Sequence, residues 1–246
     1  MIGVYDSGVG GLTVLRELKK LMPWEDFIYY SDGANCPYGP KEPEFILKRA
    51  FEITDFLIDN GAEMIVVACN TATAAAINKL REQYDIPFIG MEPAIKPAAI
   101  ESKSGVVGVL ATAGTFKGRL YLNTLARFAS DVKVIQQVGT GLVEAVEKGD
   151  FNSPALVRLL HSYIDPMLEE GADHIVLGCT HYPFLAETIG SIAGPSVTIV
   201  NPAPAVARQA LHVLDGIKKV EPSTRKGSTG YYSSGSTEVL LKLSQY

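Results

Sequence analysis

Two cysteines sit in turns of the same kind, Val67-Ala68-Cys69-Asn70-Thr71-Ala72 and Leu177-Gly178-Cys179-Thr180-His181-Tyr182-Pro183. Each turn follows a short apolar run, and the first opens a stretch of helical pattern. A thiol at a helix start has its thiolate favoured by the helix dipole, which suits each sulfur to taking up and returning a proton. The second turn adds an imidazole two residues beyond its thiol. Two such groups on opposite faces of one carbon can invert a stereocentre, because each is a base when deprotonated and an acid when protonated. A lone cysteine after a strand is more often a small buried apolar residue; two with matching polar neighbours point to chemistry.

An α-hydrogen beside a carboxylate is only weakly acidic, and most enzymes that remove one spread the charge into pyridoxal phosphate. No lysine here sits in a setting that suggests a Schiff base, so the expectation is chemistry without a cofactor. Fixed donors must then carry the developing charge, and Ser7, Asn70, Thr71 and Thr180 are the side chains placed for it. No close Cys-x-x-Cys or His-x-x-x-His spacing marks a metal site. A further glycine-rich turn, Asp6-Ser7-Gly8-Val9-Gly10-Gly11, follows the first strand. Glycines there let backbone approach a ligand, and the next helix start offers N–H groups to an anion, so a non-enzymatic phosphate-binding module stands as an alternative.

The elements that must position these turns alternate along the chain. Apolar strands are expected at 2–5, 27–30, 64–68, 88–90, 105–110, 133–136, 174–177 and 197–200, with helical spacing at 12–21, 44–60 and 72–84. That alternation predicts an α/β fold with mostly parallel sheets flanked by helices. An internal repeat sharpens it. NGAEMIVVACNT (60–71) matches EGADHIVLGCTH (170–181) with Gly, Ala, Ile, Val and Cys identical at an offset of 110 residues. Ile2-Gly3-Val4-Tyr5 is echoed by Val107-Gly108-Val109-Leu110. Two pseudo-symmetric units are therefore expected, residues 1–93 with 208–246 and residues 94–207, with the active site in a cleft between them and the two cysteines facing each other. The tail at 222–236 reads as a loop around a short Tyr-Tyr strand, with a last helix at 238–244 packing on the first unit.

Composition sets the outer bounds. The 246 residues are 47% apolar and 20% charged with a net charge of −5, a folded chain with no basic stripe for nucleic acid as a main partner. No apolar run nears the ~18 residues that span a membrane, and the start MIGVYDSG has no signal-peptide pattern, so a cytoplasmic location is expected. Three widely spaced cysteines do not suggest a disulfide framework.

The stretches DSGVGGLTVLREL (6–18), PYGPK (37–41), ACNTA (68–72) and GCTHYP (178–183), in that order along the whole chain, resemble the glutamate racemases of the cofactor-independent aspartate/glutamate racemase superfamily. That resemblance implies interconversion of L- and D-glutamate, which supplies D-glutamate for cell-wall peptidoglycan, with Cys69 acting on the D-enantiomer and Cys179 on the L-enantiomer. It implies that Asp6 and Asp32 assist the first thiol, and Glu147 and His181 the second, with Glu144 as the alternative to Glu147. Asp6, Ser7, Tyr38, Gly39, Asn70, Thr71, Thr180 and His181 would contact the substrate, and family members are often homodimers. An aspartate racemase of the same superfamily is the nearest rival; His181 speaks for glutamate, since the similar aspartate enzymes usually carry Glu there. The sequence departs from the family pattern at Ala34-Asn35-Cys36, where Cys36 is read as structural, and in the linker Gly90-Met91-Glu92-Pro93-Ala94.

Overall fold

Nine strands and eleven helices alternate across residues 1–217 and 224–245, which the computed structural model describes. In chain order they are β1 (Ile2–Asp6), α1 (Leu12–Leu21), β2 (Phe27–Ser31), α2 (Pro43–Asp59), β3 (Met64–Val67), α3 (Asn70–Gln83) and β4 (Phe88–Gly90). There follow α4 (Ile95–Glu101), β5 (Val106–Ala111), α5 (Ala113–Lys117), α6 (Arg119–Phe128), β6 (Lys133–Val138), α7 (Leu142–Glu147), α8 (Pro154–Glu169), β7 (His174–Gly178), α9 (Ala186–Ala193) and β8 (Thr198–Val200). Last come α10 (Ala203–Ile217), β9 (Thr229–Ser233) and α11 (Glu238–Leu243). None of the described helices is long and apolar enough to cross a membrane.

Residues Met1–Met91, with the described residues from Ala203 onward, form one compact unit, and Glu92–Pro202 form a second. Helix α10 packs on α1, so residues 203–207 fall on the first unit's side of the boundary expected at 207/208. The first sheet has the order β4-β3-β1-β2-β9 and the second β8-β7-β5-β6, every pairing parallel. Stripped of β9, the two orders are the same.

The repeat read from the sequence extends to register. Gly3 lies opposite Ile65 across β1 and β3, and Gly108 lies opposite Ile175 across β5 and β7. Both glycines answer to the same steric demand. A Cβ on Gly3 would come 3.2 Å from Leu57 on α2, and one on Gly108 would come 2.5 Å from the sulfur of Met167 on α8. Leu57 and Met167 are themselves 110 residues apart, so the helix before each cysteine-bearing strand lies across the same point of its sheet.

Each sheet carries helices on both faces, as parallel sheets must because both faces are apolar. In the second unit Val107, Val109 and Ala111 point to one face of β5 and pack with Ile95, Ala98 and Tyr121 of α4 and α6. Gly108 points to the other, under α8. Fully burying a valine or isoleucine of this set contributes about 1.5–3 kcal/mol. Helix α1 buries Leu12, Leu15 and Leu18 at helical spacing and ends on Lys19 and Lys20, whose charges suit the carbonyl end of the dipole.

In the tail, β9 pairs with β2 as a parallel edge strand. The Tyr-Tyr pair lies within it, and α11 packs on it. Pro222 and Ser223, at the start of the expected loop, fall outside the described residues.

Candidate active site

In the first unit β3 is wholly buried and runs through Ala68 into Cys69, whose extended backbone (φ −142°, ψ 119°) makes it the N-cap of α3. The sulfur accepts a hydrogen bond from the Ala72 N–H at 3.4 Å, an interaction stronger to a thiolate than to a thiol. This cap starts the helix at Asn70, two residues before the apolar spacing alone predicted. Cys69 Sγ lies 3.8 Å from Ser7 Oγ, so the turns after β1 and β3 meet at this sulfur. Asn70 and Thr71 open the helix beside it, both nearly buried.

The glycine-rich turn is organised by its own carboxylate. Asp6 is fully buried, and its Oδ2 accepts from the N–H groups of Gly8 at 3.2 Å and Gly11 at 3.0 Å. The next N–H groups, of Leu12, Thr13 and Val14, turn back to the carbonyls of Val9, Gly10 and Gly11. The N–H groups at the start of α1 are thus used within the turn itself. Gly11 is required for close approach: a Cβ there would lie 2.7 Å from Asp6 Cβ and 2.9 Å from the hydroxyl of Tyr29, which donates to Gly8 O at 2.7 Å. Asp6 therefore shapes the turn that brings Ser7 to Cys69.

Asp32 follows β2, with its N–H bonded to Asp6 O at 2.9 Å. Its buried carboxylate takes Arg49 Nε at 3.0 Å and the second guanidinium nitrogen at 2.8 Å. It also takes the Tyr38 hydroxyl at 2.5 Å, Asn35 at 3.1 Å and Ser234 at 2.7 Å. A carboxylate so filled holds its neighbours and has no lone pair left for a proton in transit, so its placement suits an anchor better than an acid or base beside Cys69. Tyr38 is buried on that anchor, and Gly39 is half-buried in the same turn.

Burial would raise the Asp32 pKa, but hydrogen bonds from Arg49 foremost, then Tyr38, Ser234 and Asn35, hold it below the usual carboxylate value. A carboxylate lowered on folding stabilises the fold above the unfolded value of about 4, and that stabilisation is lost as pH falls through the folded value. Thermal stability is therefore expected to decline across this acid window. Asp32→Asn should be less stable than wild type at neutral pH by about 3–5 kcal/mol, the cost of stripping one partner from a largely buried pair. Its melting temperature should also change less with pH between about 3 and 5. A melting series on both proteins checks this; equal slopes would sink it.

In the second unit β7 ends at Gly178, where a Cβ would lie 2.7 Å from Ala111 Cβ and 3.1 Å from Leu110 O. Cys179 follows, 7% exposed, with Sγ 3.7 Å from His181 Nδ1. The other ring nitrogen, Nε2, lies 2.6 Å from Glu147 Oε1. With the Nε2 proton held by the carboxylate, Nδ1 faces the sulfur as an acceptor, and Glu147 stands behind the ring. Thr180 lies between the two, nearly buried. It is Glu147, at the end of α7, that reaches the ring; Glu144 is exposed.

The Glu147 segment is tied at three points to the cysteine turn and the helix α9 that follows it. The Tyr182 hydroxyl donates to Gly139 O at 3.2 Å just before α7. The rings of Phe151 and Phe184 stack with centroids 5.7 Å apart. Thr188 donates to Phe151 O at 3.0 Å. Burial first, and the neighbouring Cys179 second, hold the Tyr182 phenol in its protonated form.

The backbone repeat thus delivers two thiols with different hydrogen-bonding neighbours, Ser7 and the Ala72 N–H beside Cys69 and His181 beside Cys179. The position matching His181 at the offset of 110 is Thr71, and the position matching Asp6 is Ala111. Sequence reasoning missed Arg49, Asn35 and Ser234 around Asp32, and Tyr182, Phe151 and Phe184 behind Glu147. Arg49 had a faint signal, a charge flanking the buried stripe Ile46, Ala50, Ile53 of α2. The others had none.

A family model described as Asp/Glu/Hydantoin racemase matches residues 12–210. The glutamate racemase of Herpetosiphon aurantiacus is 47% identical over 99% of this chain and 96% of its own length. Among solved structures, a glutamate racemase of Bacillus anthracis is similar with a TM-score of 0.85 at 32% identity, covering 100% of this chain and 92% of that one. A glutamate racemase of Francisella tularensis in complex with D-glutamate is similar with a TM-score of 0.84 at 28% identity, covering 99% and 91%.

Proposed function

The chain belongs to the Asp/Glu/hydantoin racemase family, and on that premise we propose that it interconverts L- and D-glutamate without a cofactor, using Cys69 and Cys179 as its two bases. The observation that carries the reading is the placement of one polar-flanked thiol after each of two equivalent strands, β3 and β7, at matching positions of a repeated fold. The substrate is taken from the relatives, which act on glutamate by name.

In the L-to-D direction Cys179 gives its proton to His181, and the thiolate removes the α-hydrogen of L-glutamate. The charge left behind spreads into the substrate carboxylate, where Ser7, Asn70, Thr71 and Thr180 donate hydrogen bonds; each such donor contributes about 3–4 kcal/mol at the transition state. The Cys69 thiol then delivers a proton to the opposite face, and D-glutamate leaves. The reverse reaction runs the same steps backward, starting from Cys69 as thiolate. Placed in the cytoplasm, such an activity supplies D-glutamate for peptidoglycan.

Purified protein incubated with L-glutamate in deuterated water tests this. D-glutamate should appear carrying solvent deuterium at Cα, with no added pyridoxal phosphate, and L-aspartate should be turned over far more slowly. Retention of the substrate hydrogen in the product would remove the two-base scheme, and faster turnover of aspartate would move the substrate assignment to the aspartate enzymes.

A further inference from the structure

We infer that Ser234, in the C-terminal segment after β9, is a positioning residue that acts through Asp32 to fix the Tyr38-Gly39 turn for substrate binding. This rests on the function proposed above, in which that turn contacts glutamate. The matched family region ends at residue 210, so nothing in that match reaches Ser234.

The segment lies along the end of β2. Ser234 N–H donates to Ser31 O at 3.0 Å, and its hydroxyl donates to Asp32 Oδ1 at 2.7 Å while accepting from Ala34 N–H at 3.2 Å. Gly235 sits so close that a Cβ there would lie 2.8 Å from Ala34 N. The serine thus uses both hydrogen-bonding faces of its hydroxyl on the loop that leads to Tyr38.

From Asp32 the order passes two ways. The carboxylate holds the Tyr38 hydroxyl at 2.5 Å, and the Asp32 N–H is bonded to Asp6 O at 2.9 Å. Because the Tyr38 hydroxyl spends its proton on Asp32, it has none to donate to a ligand. What the turn offers a substrate is its shape and backbone, and those depend on how firmly Asp32 is held. Arg49 supplies the charge and grips both carboxylate oxygens; Ser234 shares Oδ1 with Arg49 and Asn35 and, by accepting from Ala34 N–H, ties that carboxylate to the backbone of the loop. Ser234 is exposed as a residue, so removing its hydroxyl empties no core.

The full chain carrying Ser234→Ala, with Ser234→Thr as the variant that keeps the hydroxyl, tests this. Ser234→Ala is expected to raise KM for L- and D-glutamate by about 5–10-fold with kcat within about 2-fold, the signature of lost ground-state positioning. The melting temperature should stay within about 2 °C, as for an exposed site away from the core. Ser234→Thr should restore KM. Independently of any substrate, amide exchange at Tyr38 through Lys41 should quicken about 10-fold in Ser234→Ala and not in Ser234→Thr. Unchanged exchange in that turn, or loss of activity in Ser234→Ala that tracks a fall in melting temperature and is not rescued by Thr, would overturn the inference. A wild-type protein inactive on glutamate would count against the proposed substrate alone, and the exchange experiment would still decide whether Ser234 holds the turn.

Discussion

Cys69→Ser and Cys179→Ser are each expected to lower kcat/KM for glutamate racemisation about 1,000-fold or more, and by the same factor in both directions. The equality is a thermodynamic requirement: L- and D-glutamate have the same free energy in water, the equilibrium constant is one, and a single substitution cannot slow one direction alone. The size follows from the chemistry. A serine hydroxyl has nearly the volume of the thiol, yet at neutral pH it supplies no useful fraction of conjugate base, and at about 1.4 kcal/mol per tenfold the loss is roughly 4 kcal/mol of transition-state stabilisation. Both cysteines are almost fully buried, at 5% and 7% exposure, and each sulfur has a neighbour that a hydroxyl can also serve, so the fold should survive. Polarimetric or coupled assays in both directions, with a melting curve for each variant, provide the check. Retention of more than a tenth of wild-type kcat/KM by either variant would show that its sulfur is not one of the two bases.

On the proposed mechanism His181→Asn should cost about 100-fold in kcat/KM, and Glu147→Gln about 10-fold, because there the first removes the proton acceptor for Cys179 and the second only the charge behind it. The link from Glu147 Oε1 to His181 Nε2 at 2.6 Å and from Nδ1 to Cys179 Sγ at 3.7 Å is what distinguishes this thiol from Cys69, whose sulfur meets a neutral serine. Sidedness then shows in isotope effects, where kcat/KM cannot show it. With Cys179 impaired, hydrogen abstraction from L-glutamate becomes the slow step, so the primary effect on L-[2-²H]glutamate should rise. In the opposite direction abstraction by Cys69 is followed by slow reprotonation, and the effect on the D-isotopomer should fall. The same change on both enantiomers would remove the assignment of His181 and Glu147 to the L-facing thiol.

Much of this molecule was legible in the chain because it is written in short-range pattern. Strands β1, β3 and β7 are buried throughout and apolar except for Asp6 at the end of β1 and His174 at the start of β7, as strands covered on both faces must largely be, and α1 shows its buried leucines at helical spacing. The repeated Gly-Ala-x-x-Ile-Val-x-x-Cys run marked the two units because each copy must solve the same packing problem, with a helix crossing a glycine of the neighbouring strand. The limits of α3 were less legible, since its start is set by a sulfur accepting from Ala72, an interaction that propensity does not encode.

The sequence alone determined two α/β units with parallel sheets and the local turns that carry Cys69 and Cys179, since each depends on residues within a few positions of one another. Tertiary structure alone decided what those residues answer to. It joined Glu147 to His181 across 34 positions, turned Asp6 into the internal anion of its own glycine turn, and filled Asp32 with Arg49 and, from 202 positions away, Ser234. The physical reason is range: hydrophobic periodicity repeats along the chain and can be read there, whereas a buried carboxylate takes its partners from whatever the packed elements bring within hydrogen-bonding distance.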